Sequence, residues 1–151
     1  MAMTMNGEYQ LAASQQTVWE KLNDPETLKA CIPGCEQLEK TSDTEFQAVA
    51  TVKIGPVKAR FKGKVMLSDL DPPNGYKISG QGDGGVAGFA KGGATVKLLP
   101  KDGGTLLTYD VDAQIGGKLA QLGQRLVNGA AKKIADDFFE NFATAVNPKV
   151  S

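Results

Sequence analysis

The sequence predicts an α+β fold in which a curved antiparallel sheet of about six or seven strands packs against one long C-terminal helix. Two observations predict this arrangement. Residues 36–115 alternate between apolar and polar side chains in segments separated by turn signals. Residues 117–146 instead carry apolar side chains every three or four positions, which is the spacing of one helix face: Leu119, Leu122, Leu126, Ala130, Ile134, Phe138, Phe142 and Val146.

The chain begins with a predicted strand and a short helix. We expect residues 1–6 to be a loose terminus. Residues 7–13 should form a strand, because Tyr9 and Leu11 alternate with polar side chains. Ser14 is a favourable helix N-cap, and the helix that it begins should end near residue 23. Its apolar positions are Val18, Trp19 and Leu22.

A second short helix is predicted directly after the first. Asp24-Pro25-Glu26 is a start signal, because proline is favoured at the first helical position and acidic side chains are favoured in the first turn. Leu28 and Cys31 are its apolar residues, and Ile32-Pro33-Gly34 ends it. Two short helices after one strand are an uncommon beginning for a sheet protein.

The middle of the chain predicts consecutive antiparallel strands with one apolar face. The turn signals are Thr41-Ser42-Asp43, Gly55-Pro56, Pro72-Pro73-Asn74-Gly75, Gly82 to Gly85 and Lys101 to Gly104. In residues 57–67 one face is apolar and the other carries lysine and arginine, which is typical of a sheet covered on one side. The apolar face is rich in alanine and glycine near its middle. Either the helix lies very close to these small residues, or a cavity remains between them.

The predicted C-terminal helix changes character along its length. About 30 residues would form a helix of roughly 45 Å. Gly123 and Gly129 lie in its first half, where glycine costs about 1 kcal/mol relative to alanine, so they suggest a close approach by another element. Phenylalanines in the second half suggest a filled core. We therefore expect a helix that packs tightly at its end and covers a space at its start.

Composition limits the possible functions. The 151 residues suit one domain, residues 1–151, with a sizeable core. With 17 basic and 17 acidic residues, the net charge is zero, so no global field attracts nucleic acid. The sequence has no apolar run of membrane-spanning length and no leader pattern, and we expect a cytoplasmic protein. Histidine, the commonest general base and metal ligand, does not occur in the sequence.

The two cysteines lie in Cys31-Ile-Pro-Gly-Cys35. Two thiols do not complete a tetrahedral zinc site, and a redox pair normally has two-residue spacing at a helix N-terminus. We expect structural burial, with a redox or metal role and a place in the wall of a pocket mouth as alternatives. The glycine-rich residues 82–93 do not precede a helical pattern, so they do not predict a phosphate-binding loop. A flexible flap with Phe89 at its apolar tip, or a simple loose hairpin, is expected there.

The outer face of the predicted sheet carries a basic stripe. A solvated face is the simplest interpretation, and contact with an acidic enzyme surface or with anionic lipid is the alternative. Interleaved aromatic side chains for base stacking are missing, so nucleic acid is not an expected partner. No carboxylate pair or nucleophile–base pair is evident, so no catalytic, cofactor or metal site is predicted. The stripe consists of Lys53, Lys58, Arg60, Lys62 and Lys64.

Several short motifs resemble one known family, the G-subunit family of carbon monoxide dehydrogenase, over residues 7–142. Each motif is weak alone, and their order and spacing make the resemblance specific. They are Asp24-Pro25-Glu26, Ile32-Pro33-Gly34-Cys35, Gly55-Pro56-Val57, Phe61-x-Gly63-x-Val65-x-Leu67, Gly88-Phe89-Ala90 and Gly117-x-Leu119-Ala120-Gln121-Leu122-Gly123-x-Arg125.

The resemblance implies a START-like, Bet v 1-like domain with a helix-grip fold, in which the sheet wraps the long helix around an apolar cavity. That family is linked to the maturation or membrane recruitment of molybdenum-containing carbon monoxide dehydrogenases, and to the handling of a hydrophobic quinone. Many members have a C-terminal extension that reaches the membrane. Because this sequence ends at Ser151, we expect no stable anchoring, and transient contact with the inner face of the membrane stays open.

Two functions of different classes follow. The first is a non-enzymatic carrier that holds a quinone or lipid and serves a molybdenum hydroxylase. The second is an assembly module with a filled core, which docks on a large enzyme through its outer surface. A cyclase-like enzyme is a weaker third alternative. For the carrier, the expected ligand-binding residues are Trp19, Leu28, Ile32, Phe61, Val65, Phe89, Leu119, Leu122, Gly123 and Leu126.

Overall fold

A computed structural model describes residues 1–146, which form a seven-stranded antiparallel sheet and four helices. The strand order is β1-β7-β6-β5-β4-β3-β2, so the first and last strands are neighbours. A 3₁₀ turn, Gly85–Ala87, lies between β5 and β6. The elements are β1 (Ala2–Leu11), α1 (Gln15–Leu22), α2 (Pro25–Cys31), β2 (Cys35–Ser42), β3 (Glu45–Ile54), β4 (Val57–Asp71), β5 (Gly75–Asp83), β6 (Phe89–Lys101), β7 (Gly104–Gly116), α3 (Lys118–Gln121) and α4 (Gln124–Val146).

Strand β1 begins earlier than predicted. The expectation of a loose terminus over residues 1–6 is wrong, because β1 pairs with β7 from Ala2 opposite Gln114 onwards. The N-terminal amine of Met1 also donates a hydrogen bond to the carbonyl oxygen of Ile115 at 2.9 Å. Met3 is buried on the sheet face that contacts the helices. The alternation of methionine with small or polar residues in residues 1–6 was the available signal for this pairing.

The two short helices are confirmed with the predicted caps. Ser14 is the N-cap of α1, and its side chain accepts a hydrogen bond from the backbone N–H of Thr17 at 3.2 Å. Helix α2 begins at Pro25 and ends at Cys31, with Ile32 as its C-cap. The hairpin turns between β2 and β7 also fall at the predicted signals. These features depend on local sequence, which is why sequence predicted them well.

The predicted single C-terminal helix is instead two helices. Gly123, which has a φ of 93°, separates the four-residue α3 from the 23-residue α4. A Cβ added at Gly123 or at Gly129 would meet no atom within 4 Å. The expected close approach at these glycines is therefore wrong. Gly123 serves a left-handed backbone conformation, which glycine adopts without a steric penalty.

This break changes which side chains α4 buries. Leu126, part of the predicted apolar stripe, is 41% exposed, whereas its neighbour Val127 is 4% exposed. Near its end, α4 buries Phe139, Phe142 and Val146. The stripe is thus correct at its end and at Leu119, which is buried in α3, and it is displaced by one residue at the start of α4, because α4 begins after the break at Gly123.

Two apolar clusters lie between the sheet and the helices. The larger one joins the end of α4 to α1, α2 and the sheet, and Phe142, Leu98, Leu107 and Val18 are fully buried in it. The smaller one lies near the start of α4 and contains Met3, Ile115, Leu119 and Val127. The expectation of a filled core at the end of the helix is confirmed.

Candidate functional site

Small residues pave the helix-facing side of the sheet between the two clusters. The strand register places Ala48, Gly63, Gly82 and Ala90 side by side across β3, β4, β5 and β6. The next row begins with Val65 and continues through Gly80, Gly92 and Ala113 across β5, β6 and β7. We call these two rows the small-residue floor. A larger side chain at any position of this floor would project toward the helices.

The glycines of this floor differ in whether the neighbouring strands leave room for a side chain. A Cβ at Gly92 would overlap the carbonyl oxygen of Asp112, so this glycine permits close approach of β6 and β7. A Cβ at Gly82 would lie 3.7 Å from the ring of Phe61, and one at Gly80 would lie 3.4 Å from the nearest atom. Both are ordinary contact distances. On β5, therefore, strand packing does not require glycine.

Apolar side chains beside the floor keep part of their surface accessible. Phe61, Val65, Ile78 and Val111 are half-buried, although they lie on the apolar face of the sheet and pack against the clusters. Helix α4 packs most closely on α2 and β1, rather than on the strands that carry the floor. The contacts of α4 are therefore concentrated on α2 and β1 and are not spread evenly over the strands of the sheet.

The ten residues expected to bind a ligand fall into several groups. Phe61, Leu119 and Leu122 belong to the smaller cluster. Trp19, Leu28 and Val65 pack against the larger cluster, and Trp19 makes an edge contact with Tyr76 at 5.3 Å between ring centroids. The structure thus places these six beside the two clusters that flank the floor.

The remaining expected residues lie at its margins or outside it. Ile32 is the C-cap of α2, and Gly123 is exposed at the break before α4. Leu126 is near Gly55 in the β3–β4 turn: a Cβ added at Gly55 would lie 2.8 Å from a Leu126 methyl group. Phe89 does not face the helices at all. Its neighbour Ala90 faces inward, and since side chains alternate along a strand, Phe89 faces outward.

A cleft between β1 and α4 was missed by the sequence analysis. Its volume is about 320 Å³, and it opens beside the edge strand of the sheet. The alternating methionines at the start of the chain were the signal that could have found one wall. The cleft is lined by Met3, Thr4, Met5, Asn6, Gly7, Glu8, Tyr9, Tyr109, Asn128, Lys132 and Asp136.

Asp136 organises the polar side of this cleft. The Tyr9 hydroxyl donates a hydrogen bond to Asp136 Oδ1 at 2.6 Å, and Lys132 Nζ donates to Oδ2 at 2.7 Å. The Lys132 hydrogen bond, followed by that of Tyr9, holds the pKa of Asp136 below its ordinary value. Burial and the Asp136 carboxylate raise the pKa of Tyr9, so that phenol stays protonated at neutral pH.

Acid should remove the stabilisation that Asp136 provides. Because its folded-state pKa is lowered, this contribution is complete above the unfolded-state pKa of about 3.9 and is lost as pH falls through the folded-state value. Asp136→Asn should therefore be less stable than the wild type at about pH 7, and the difference should narrow toward about pH 2. Urea unfolding across this range measures the effect. Asp137→Asn is the control, because that carboxylate contacts Lys133 but no tyrosine; a gap independent of pH would contradict the prediction.

The comparisons with known proteins assign the family. A family model for the G subunit of carbon monoxide dehydrogenase (CoxG) matches residues 7–147. The chain belongs to this family. No curated protein matches the chain significantly. The match to the family model confirms the resemblance that the sequence motifs indicated.

Solved structures confirm the fold of this CoxG family member. A conserved protein from Geobacillus kaustophilus is 34% identical over 95% of both chains, with a TM-score of 0.89. Ara h 8.0201 is 14% identical over 97% of this chain and 98% of its own, with a TM-score of 0.68. The Zhui aromatase/cyclase from Streptomyces sp. R1128 is 13% identical, covers 97% and 94% respectively, and has a TM-score of 0.70. The fold is Bet v 1/START-like.

The cysteines of this CoxG family member are free thiols. Cys31 is buried at the end of α2, where its carbonyl oxygen accepts a hydrogen bond from Asn141 Nδ2 of α4 at 3.1 Å. Burial raises the pKa of both Cys31 and Cys35, which disfavours the reactive thiolate. Within residues 1–146, no cluster of three or more potential metal-ligating side chains occurs.

The outer sheet face combines basic and apolar side chains. Arg60 pairs with Glu36 at 3.1 Å, and Lys64 pairs with Glu45 at 2.6 Å. Val86 is 86% exposed and Phe89 is 46% exposed, beside an open concavity of about 880 Å³ on this face. In the part of the chain that the structure describes, no helix combines the length and the apolar character that crossing a membrane requires.

Proposed function

We propose that this protein is a non-enzymatic carrier of a hydrophobic molecule, a quinone or lipid, and that it serves a carbon monoxide dehydrogenase-type molybdenum hydroxylase. The whole chain would act as one ligand-binding domain. The observation that carries this proposal is the small-residue floor, on which Gly80 and Gly82 could accommodate a Cβ at ordinary contact distances. Family membership and the Bet v 1/START-like fold support the same function.

The expected affinity suits a carrier that must release its ligand. Burying about 400 Å² of apolar ligand surface would contribute roughly 10 kcal/mol before the costs of association. Those costs are about 4–15 kcal/mol, so a micromolar or weaker dissociation constant is expected. Docking on the molybdenum enzyme, or a transient visit to the inner face of the membrane, would then deliver the ligand from the cytoplasm.

The proposal does not include a catalytic step. An aromatase/cyclase shares the fold, so the fold itself is compatible with enzymes as well as with binding proteins. The sequence has no histidine, and the two thiols have raised pKa values. These features disfavour general-base and nucleophilic catalysis.

Filling the space above the floor should abolish binding. Ala94 lies on the apolar face of β6, between Ile78 and Val111, so Ala94→Phe would project a ring toward the helices. The bound apolar compound, measured by solvent extraction and mass spectrometry of the purified protein, should fall at least about tenfold, equivalent to about 1.4 kcal/mol.

The control for this experiment is Thr95→Phe, which adds the same ring to the opposite face of the sheet. It should retain the ligand. Thermal melting of both variants verifies that they are folded. Undiminished ligand in a folded Ala94→Phe protein would rule out this binding site.

The assembly module is a second candidate, favoured by the exposed Val86 and Phe89 on the outer face. Lys62, Lys64 and Lys91 line the same concavity, against the carboxylates of Glu39 and Asp83. A partner with an apolar contact point and a mixed, slightly acidic surface would fit it. The same experiment distinguishes the two functions. For an assembly module, the purified wild type carries no apolar compound, and Ala94→Phe leaves docking on the enzyme unchanged.

A further inference from the structure

We propose that the hairpin between β3 and β4, together with the start of α4, docks on the surface of an anionic lipid membrane. Lys53 and Lys58 flank the turn of this hairpin at Gly55-Pro56. Leu126 and its neighbour Arg125 lie beside the turn. We call these residues the basic tip. The inference rests on the proposed carrier function, which includes a transient visit to a membrane, and it names the surface and the lipid class for that visit.

The hairpin projects beyond the strands on either side of it. Strand β2 pairs with β3 only as far as Cys35 opposite Ala50. Strand β5 pairs with β4 only as far as Asp83 opposite Lys62. Residues 52–61 therefore form strand pairs only with each other. At about 3.3 Å per residue, the hairpin extends roughly 10 Å beyond its neighbouring strands, where a large flat surface can reach it.

The two sides of this hairpin differ in character. Its inner side packs against the smaller apolar cluster through Ile54, Val57 and Phe61. Its outer side carries Lys53 directly opposite Lys58, and both side chains are exposed. Like charges directly opposite one another on a sheet are destabilising. An anionic surface would relieve this repulsion.

The chain as a whole is neutral, but the two segments that meet at the basic tip contain no acidic residue. Residues 46–68 include all five residues of the basic stripe, and residues 113–135 carry four further cations, which are Lys118, Arg125, Lys132 and Lys133. Within residues 1–146, Lys53, Lys58 and Arg125 form no ion pair. Each lysine or arginine near an anionic membrane strengthens binding about fivefold. The local charge of the basic tip, rather than the net charge, therefore favours anionic lipid.

The apolar groups of the basic tip lie on a projecting part of the molecule. Leu126 is 41% exposed next to the turn, and Pro56 is exposed within it. The two concavities described above are lined by other residues. A projecting apolar group can enter the deformable surface of a lipid bilayer, whereas a protein partner would need a matching pocket. The shape of the tip therefore favours a membrane over an acidic protein.

Sedimentation with lipid vesicles tests this inference. The full chain is mixed with vesicles of equal parts phosphatidylglycerol and phosphatidylcholine, or with vesicles of phosphatidylcholine alone. The wild type should bind the anionic vesicles in about 0.1 M salt, lose most of this binding in about 0.5 M salt, and bind the neutral vesicles at least about tenfold more weakly. Failure of the wild type to bind the anionic vesicles would overturn the inference and leave the basic tip to an acidic protein partner.

Lys58→Glu should weaken binding to the anionic vesicles about twentyfold, because it removes one cation and adds one anion. The variant should melt no lower than the wild type, since it places opposite charges across the hairpin from Lys53. Lys97→Glu is the matched control, because Lys97 is also exposed but lies toward the far end of β6. It should retain binding within about threefold, since charges beyond a Debye length are largely screened. Equal losses in the two variants would contradict the basic tip.

Leu126→Ser tests the apolar contribution and should weaken vesicle binding about threefold, because the exposed part of the leucine no longer enters the bilayer. Leu99→Ser is its control: Leu99 is 50% exposed, toward the far end of β6, and this variant should bind as the wild type does. Solvent extraction separates docking from carriage. Purified Lys58→Glu should contain as much apolar compound as the wild type. A wild type that binds anionic vesicles but contains no compound would end the carrier function and leave the docking surface standing.

Discussion

Phe142→Ala should lower the free energy of unfolding by about 4 kcal/mol. Phe142 has no accessible surface, and its ring stacks on Phe138 at 5.7 Å between centroids. It belongs to the cluster that joins the end of α4 to α1, α2 and the sheet. Truncation would remove buried apolar contacts and leave a cavity, because a rigid sheet on one side limits collapse. Urea denaturation followed by circular dichroism measures the loss.

Phe89→Ala is the matched control for that prediction. The same truncation on the outer face of β6 should change the free energy of unfolding by less than about 0.5 kcal/mol, as is usual for exposed positions. The ring of Phe89 lies against Gly116 and remains 46% exposed. Comparable losses at Phe89 and Phe142 would contradict the assignment of the two sheet faces.

Gly34→Ala should lower the free energy of unfolding by about 3 kcal/mol, from backbone strain and steric overlap together. Gly34 connects α2 to β2 with a φ of 75°, and its carbonyl oxygen accepts a hydrogen bond from the Thr51 N–H at 2.9 Å. A Cβ there would overlap the carbonyl oxygen of Thr51. This contact explains the glycine in the Ile-Pro-Gly-Cys motif. Thermal melting and urea denaturation report the effect.

Gly103→Ala separates the two contributions. Gly103 has a similar φ, 78°, in the β6–β7 turn, but a Cβ there would meet nothing within 4 Å. Only the cost of the left-handed conformation applies, which is about 1 kcal/mol. Equal losses of unfolding free energy in Gly34→Ala and Gly103→Ala would contradict the close approach of the Thr51 carbonyl oxygen to Gly34.

Much of the fold could be predicted because its signals are local. The Ser14 cap and Pro25 at the first turn of α2 act within a few residues of themselves. The hairpin turns are similarly local, and strict alternation decides which side chains share a face of β4. Six of the ten expected ligand-binding residues consequently lie beside the clusters that flank the floor.

Other features could not be predicted because they depend on distant contacts. The strand character of residues 2–6 depends on pairing with β7, more than one hundred positions later in the sequence. The placement of Phe89 among the ligand-binding residues was wrong: the alternation from Ala90 to Leu98 already favoured an outward Phe89, and the pairing of β6 with β5 and β7 shows this direction. The ring stack of Tyr9, Tyr109 and Phe139 likewise joins three separate elements.

The sequence by itself determined the α+β class, the helix caps, the turns and the family, because each depends on short-range chemistry or on the order of motifs. The tertiary structure decided the rest. It showed that Gly123 breaks the long helix and shifts its buried face from Leu126 to Val127. It also brought the Tyr109 hydroxyl into a cleft with α4. The physical reason is that strand register and helix phase are fixed only when the sheet and the helices bury their apolar faces together.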